Sequence, residues 1–540
     1  VSSRTIRLVV VAAALCLYLP FLGSVRLFDW DEINFAEAAR EMLVTGDWLR
    51  VHVDYAPFYE KPPLFIWMQA IAMTVFGVNE FAARLPNAVV ATVTLWLLVW
   101  LGQQSGRQRL GLLWALAYAG SVLPTFYGHT GIIDPLFNLL MFLSVLTAFR
   151  AVSSSAKRYD VWLAGLWLGL AVLAKGPVGL GLVLLTCAIA YAWTQRTWRL
   201  PWMIAAKITV VAAVVPALWY GAEYAANGPA FFEANIAYQW RLLTMGEAGH
   251  AQPWYYHVVV VFLGCYPASV FLLQSDKSDM SDLSDFTKWM AVLALVVLAV
   301  FSAVTTKIVH YSSMTYLPIT FLAALAVERA WTGALRIRLA TWVVLGVVCL
   351  VLAAAALAVP LAGNYIAELL AMPTFKDVYL REAVQQEVWW SWIHYVPGLI
   401  LLLGFALAFV MRSKRWAPMV LFGSVILFSA TFLPLVAPNI ERYTQGAALD
   451  FYESLQGKVA HVKPLNMKSY AHLFYTRKPW ELSATAYRIA PDSWEPYLLN
   501  EAVGLPTYFV AKVNDAHRWV DHPNLRVRHR HGGIVVFELR

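Results

Sequence analysis

Apolar runs of about 17 to 25 residues, long enough to cross a hydrocarbon core as helix, recur at 6–24, 84–103, 109–127, 135–152, 160–174, 177–194, 202–221, 255–273, 288–304, 309–328, 339–361, 395–411 and 416–435. The pattern predicts thirteen transmembrane helices. One further apolar stretch, 63–76, is short and follows the Pro62-Pro63 pair, so it is expected to lie as an interfacial or re-entrant helix and not as a span. From Arg442 onward charge is spread throughout and no run is long enough to span. Segments 458–465, 506–513 and 534–539 read as short strands, and 441–455 and 469–476 as helices. The expected division is a membrane body over 1–436 and a separate soluble α/β domain over 437–540.

Composition agrees, since 60% hydrophobic and 14% charged residues do not describe a water-soluble globule. Arg4 and Arg7 precede the first run as in a signal peptide. The Gly23-Ser24-Val25-Arg26 sequence after it offers no small-x-small cleavage site, and the run reads as a retained helix. The chain begins at Val1 and not at methionine, so a few preceding residues are expected. Cys16, Cys187, Cys265 and Cys349 all lie in apolar runs, which argues against a disulfide framework or a thiolate metal site.

The net charge of +8 is mostly a topology signal. With the N-terminus inside, the inner loops carry Arg107 and Arg109, then Arg150, Lys157 and Arg158, then Arg196 and Arg199, then Arg329, Arg336 and Arg338, then Arg412, Lys414 and Arg415. Only the acidic, Ser-rich loop at 275–286 breaks the pattern, and nothing in this distribution points to nucleic acid.

Candidate chemistry then falls on the outer side. Where the first run ends stands Phe28-Asp29-Trp30-Asp31-Glu32, three carboxylates at a bilayer boundary that need a cation, a metal or a substrate as partner. The turn 129–134, Lys175, the loop 221–254, the group Lys307, His310 and Tyr311, and the loop 362–392 share that side, so acids, bases and imidazoles converge on one face. Each has a plainer explanation. Asp29 and Glu32 suit caps for a helix over 33–43. Asp134 before Pro135 suits an N-cap. Lys175 can snorkel, and Lys307 and Tyr311 can anchor a helix at the interface.

Taken in order, the acidic pair of the first outer loop, Tyr59-Glu60-Lys61-Pro62-Pro63-Leu64, Phe76-Gly77, Phe81-Ala82-Ala83-Arg84-Leu85-Pro86, and Asp134-Pro135 opening a helix form a set. This set resembles the GT-C glycosyltransferases that use polyprenyl-phosphate sugars. Among them it is most similar to the bacterial lipid A aminoarabinose transferases, and more distantly to the protein O-mannosyltransferases. The resemblance is strong in the N-terminal third, whereas the tail matches only in position and size.

The resemblance implies transfer of 4-amino-4-deoxy-L-arabinose from undecaprenyl phosphate to a lipid A phosphate, giving cationic lipid A and polymyxin resistance. It further implies a bacterial inner-membrane protein whose site and tail face the periplasm. Asp31 and Asp134 are the expected catalytic carboxylates, because sugar transfer passes through an oxocarbenium-like state. Lys61 and Arg241 are expected to bind the donor phosphate, with Tyr59, Glu60 and Tyr311 contributing to the substrate site. Glu60 and His250 could hold one zinc or magnesium ion if phosphate or water completed its shell; an ion pair with Lys61 and an ordinary loop histidine are the plainer readings. A polyprenyl-phosphate-dependent protein O-mannosyltransferase or another envelope glycosyltransferase is the alternative. A secondary transporter belongs to a different class; it would place ionisable groups deep in the spans and show internal repeats, which this sequence does not.

Overall fold

The computed structural model describes residues 2–29, 31–154, 156–244, 252–274, 284–371, 377–501 and 504–540. Every apolar run carries helix. In chain order the body comprises α1 (Ser3–Tyr18), α2 (Asp31–Thr45), a two-residue hairpin of β1 (His52–Val53) and β2 (Ala56–Pro57), α3 (Leu64–Phe76), α4 (Glu80–Gln104), α5 (Gln108–Ala119), α6 (Val122–Tyr127), α7 (Asp134–Ala151) and α8 (Asp160–Lys175). It continues with α9 (Val178–Gln195), α10 (Trp202–Asn227), α11 (Ala230–Thr244), α12 (Tyr256–Gly264), α13 (Ala268–Phe271), α14 (Asp285–Ala303), α15 (Tyr316–Trp331) and α16 (Leu339–Asn364). After α17 (Ile366–Ala371) and α18 (Val378–Ala383) come α19 (Val396–Val410) and α20 (Ala417–Leu435).

Among the described residues, eight helices are long and apolar enough to cross a membrane: α4, α7, α9, α10, α14, α16, Trp392–Val410 and α20. The protein is therefore a multi-pass membrane protein. The run at 255–273 is not a single rod, because its two halves meet at 102°, as in a broken span or a re-entrant loop. Pro267 sits at that break, where it has no N–H to continue the helical ladder. The run at 109–127 is likewise divided into α5 and α6 at Gly120-Ser121, where Ser121 is extended. α1, α8 and α15 are 16-residue helices. The short apolar stretch forms α3, which packs between α2 and α4.

Close packing of helices fixes the frame of the site. A Cβ on Gly165 of α8 would stand 2.5 Å from Val211 Cβ of α10, and one on Gly169 would stand 2.6 Å from Val215 Cβ. This small-x-x-x-small stripe lets the two backbones approach, as is common between helices in lipid. α8 also packs along α7, so the ends of both helices, Asp134 and Lys175, come together.

The tail begins with α21 (Ala437–Glu441), a single π-helical turn over Arg442–Gly446, and α22 (Ala447–Glu453). Its sheet comprises β3 (His461–Pro464), β4 (Thr507–Lys512), β5 (Leu525–His531) and β6 (Ile534–Leu539), with α23 (Ala471–Thr476), α24 (Trp494–Asn500) and α25 (Val513–Ala516) beside it. The order is β3-β4-β6-β5, with β3 parallel to β4 and the other pairs antiparallel. Leu465, Trp494, Leu498, Phe509 and Phe537 fill its core. Three strands stand where the sequence predicts them. β5 was not expected, because Arg526, Arg528, His529, Arg530 and His531 leave it little apolar alternation, and it forms the sheet edge.

The tail is tied to the loop between α1 and α3. Leu27 N donates to the Tyr475 hydroxyl at 2.7 Å, and that hydroxyl donates to Glu80 at 3.1 Å. Arg40 of α2 is held by both oxygens of Glu37 at 2.7 Å and donates to the Lys478 carbonyl at 3.0 Å. Lys478 pairs with Asp54, and Arg26 pairs with Glu453 at 2.9 Å.

Candidate active site

Asp31 opens α2, Asp134 opens α7, Lys175 ends α8, and His310 lies in a 3₁₀ segment (Val309–Thr315) that leads into α15. Of these four elements only α7 and α8 are neighbours in the chain, and all four meet in one row of side chains. His310 Nε2 stands 3.3 Å from Asp31 Oδ2 and 3.8 Å from Asp134 Oδ2, and Asp134 forms a close ion pair with Lys175. Asp31 is the exposed end, with 35% of its side chain accessible, against 13% for His310, 12% for Lys175 and 5% for Asp134.

Local sequence explains each placement. Gly176 takes φ 102°, a conformation glycine adopts readily, so the chain turns directly after Lys175 into α9. Asn138 of α7 donates to Ser313 Oγ at 2.8 Å, which ties the 3₁₀ segment to α7 beside Asp134. Burial pushes the His310 imidazole below its ordinary pKa; Asp134 and Asp31 oppose that shift, and Lys175 and Lys61 add to it. Both carboxylates face Nε2.

Behind this row lies a cavity of about 500 Å³ between α9 and α14. Val178, Leu182, Leu185, Val300, Phe301 and Val304 make its wall apolar, while Lys61, Lys175 and Tyr311 form its polar lining. Lys175 Nζ sits 5.0 Å from the Tyr311 ring centre. Burial raises the Tyr311 phenol pKa, with Lys61 opposing, so its hydroxyl remains a donor. Lys61 Nζ lies 5.1 Å from the Tyr238 ring centre and the Arg241 guanidinium 5.9 Å from the same ring, which brings the two expected phosphate ligands to one aromatic.

The remaining expected residues are placed differently. Tyr59 packs edge-on against Phe231 with ring centres 6.0 Å apart, and its carbonyl accepts from Asn235 at 2.8 Å. Glu60 lies near Tyr470 of the tail, whose phenol pKa is raised by burial and then by Glu60. His250 lies outside the described residues. Among the described residues, no group of three or more His, Cys, Asp or Glu side chains could hold a metal.

Two assignments change in kind. Glu32 is a buried structural anion: Arg84 grips it at 2.8 and 2.9 Å, and it accepts from Gly131 N at 2.7 Å and Phe28 N at 2.9 Å. Arg84 also donates to the carbonyls of Leu22 and Val25, at 3.0 and 2.6 Å, so this arginine ties the first outer loop to α4. Asp134 is no N-cap, because its carboxylate is turned to Lys175 and His310 and the helix start carries no side-chain cap. His310 was not singled out from the sequence as a site residue. Its only signal was the Lys307-x-x-His310-Tyr311 group just before an apolar helix.

Residues 60–220 match the family described as dolichyl-phosphate-mannose-protein mannosyltransferase. The undecaprenyl phosphate-alpha-4-amino-4-deoxy-L-arabinose arabinosyl transferase of Pseudomonas aeruginosa is 29% identical over 277 residues, 50% of this chain and 49% of that protein. Its counterpart in Erwinia tasmaniensis is 27% identical over 255 residues, 46% of each chain. The chain thus spans about half the length of the curated relatives it matches. The crystal structure of ArnT from Cupriavidus metallidurans bound to undecaprenyl phosphate aligns over 98% of this chain and 97% of that one, with a TM-score of 0.76 at 21% identity. The chain is thus a multi-pass membrane protein that shares its fold with that ArnT structure over nearly its whole length, and about half of it is similar in sequence to the arabinosyl transferases.

Proposed function

We propose that the protein is a lipid-to-lipid glycosyltransferase that moves 4-amino-4-deoxy-L-arabinose from undecaprenyl phosphate to a phosphate of lipid A, working at the periplasmic face of a bacterial inner membrane. The observation that carries this reading is the apolar cavity between α9 and α14, lined at its polar part by Lys61, Lys175 and Tyr311 and placed beside the Asp31–His310–Asp134 row. An isoprenoid tail needs such a groove, and its phosphate needs cations and a phenol donor at one end. Arg241, across the Tyr238 ring from Lys61, supplies a second cation.

In this reading the acceptor phosphate oxygen attacks the anomeric carbon as the bond from that carbon to the donor phosphate oxygen breaks. Undecaprenyl phosphate leaves, held by the cations. Positive charge develops on the sugar ring, and Asp31, the accessible carboxylate of the row, faces it. An anionic acceptor needs no strong base, so Asp31 acts mainly on charge and on the position of the amino sugar. His310 orients Asp31 through Nε2, and Asp134 fixes both His310 and Lys175. A divalent ion at Glu60 would rely on donor phosphate for much of its shell; loss of transfer in EDTA, restored by zinc or magnesium, is the measurement for it.

The test is transfer by the purified protein in detergent, supplied with the polyprenyl-phosphate aminoarabinose donor and lipid A. Asp31→Asn should lower kcat by roughly 100-fold or more with donor affinity kept. Lys61→Ala should weaken donor binding roughly ten-fold. Donor binding without lipid A modification would sink the acceptor assignment. The match to protein mannosyltransferases over 60–220 favours a second reading, a Ser/Thr polypeptide acceptor, and glycosylation of short Ser/Thr peptides would select it.

A further inference from the structure

His257 is a buried imidazole that the row of Asp31, His310, Asp134 and Lys175 does not use. It stands in the first turn of α12, is fully withdrawn from solvent, and places Nδ1 3.1 Å from the Ser312 hydroxyl. Its other ring nitrogen, Nε2, is buried without a hydrogen-bond partner among the described residues. An unpaired buried nitrogen is costly, and an apolar side chain would fill the same place without that cost. What the imidazole adds to packing is its single bond to Ser312.

Ser312 is itself buried and belongs to the 3₁₀ segment Val309–Thr315. Two neighbouring side chains of this segment face different tasks: His310 meets the carboxylates, and Tyr311 lines the groove between α9 and α14. Each has its own tie. Ser313 Oγ accepts from Asn138 of α7 at 2.8 Å and donates to the His310 carbonyl at 2.5 Å, which secures the His310 side. His257 of α12 holds Ser312, the residue next to Tyr311. The imidazole also packs against Phe301 with ring centres 6.1 Å apart, and Phe301 packs against Tyr311 at 5.5 Å. Phe301 and Tyr311 both line the groove, so His257 backs its wall at two points. A 3₁₀ segment has poorer internal hydrogen bonds than an α-helix, and outside ties carry more of its placement.

We propose that His257 is a positioning residue for the donor: through Ser312 and Phe301 it sets the Tyr311 hydroxyl in the polar lining of the groove. The inference rests on the transfer reading above, in which that groove takes undecaprenyl phosphate. His257 acts from behind the wall, through Nδ1 and ring packing.

The test measures binding of undecaprenyl phosphate to the full chain in detergent, with thermal unfolding recorded for every variant. His257→Leu removes the bond and should weaken binding roughly ten-fold. The amide of asparagine reaches the position of Nδ1, and that of glutamine the position of Nε2. His257→Asn should therefore bring affinity to within about three-fold of wild type, and His257→Gln should not. Ser312→Ala cuts the same bond from its other end, so it should weaken binding to a similar extent and add little to His257→Leu. In the transfer assay the KM for donor should rise more than kcat falls. A merely structural role would make affinity follow the unfolding temperature and would not separate His257→Asn from His257→Gln. Should His257→Leu fail to fold, Ser312→Ala decides. Wild-type affinity in the folded variants overturns the inference and leaves the donor groove intact, as does rescue by His257→Gln equal to that by His257→Asn. A wild type that does not bind undecaprenyl phosphate removes the donor reading itself, and this inference with it.

Discussion

Lys175 and Asp134 form an ion pair that is largely withdrawn from solvent, and the pair explains more of the site than either residue alone. Removing one partner leaves a buried charge uncompensated, which is far worse than removing both. Lys175→Met is therefore expected to destabilise the protein by about 3 kcal/mol in thermal unfolding. The double variant Lys175→Met with Asp134→Asn should recover most of that stability without recovering transfer. Additive losses would show that the pair is not energetically coupled. At this scale the sequence was informative about residue type and poor about partners. Asp31, Lys61, Arg241 and Tyr311 could be gathered to one face from topology alone. That Asp134 meets Lys175 across a helical hairpin, or that His310 bridges two carboxylates, depends on packing between segments that no local pattern records. Glu32 shows the same limit in reverse: its carboxylate looked like a cap and is instead the anchor of Arg84.

The apolar groove between α9 and α14, the proposed donor site, is a property of helices, and it offers a test that touches no charged group. Gly181 of α9 lines the groove, and a Cβ there would meet nothing within 4 Å. Gly181→Leu should thus leave unfolding within about 0.5 kcal/mol of wild type. It should nonetheless weaken binding of undecaprenyl phosphate roughly ten-fold by occupying tail space. Unaltered affinity would remove the groove from the donor site. Hydropathy placed helix in all thirteen runs, because apolar side chains in lipid leave the backbone no alternative that satisfies its own hydrogen bonds. It did not foresee the bend between α12 and α13, since a break inside an apolar run leaves hydropathy unchanged. In the tail the buried strands β4 and β6 were legible from their apolar residues, whereas the arginine-rich edge strand β5 was not.

For the whole molecule, the tail is tied to the loop that carries Asp31, and its buried histidines make its stability pH-dependent. Burial pushes the His461 pKa down to about 4, with Lys478 adding to the shift, and His472 is lowered by burial as well. Both stay neutral in the fold while the unfolded chain takes up protons below about 6.5. Their contribution is thus present above that value and is lost as the pH falls toward 4. The Trp494 ring packs against His461 with centres 5.5 Å apart, so tryptophan fluorescence should report tail loosening across this window. A flat response from pH 7 to 4 would contradict the assignment. The clasp between Arg40 and the Lys478 carbonyl, with Tyr475 holding Leu27, has a consequence for biogenesis. The loop that presents Asp31 emerges early in synthesis, but its tethers are made only after all the membrane helices through α20. A nascent protein would insert its helices long before it could organise the loop, so the proposed transfer would wait until translation has passed residue 478. A chain ended at residue 470 is accordingly expected to reach the membrane and remain inactive, which membrane fractionation with a transfer assay would reveal.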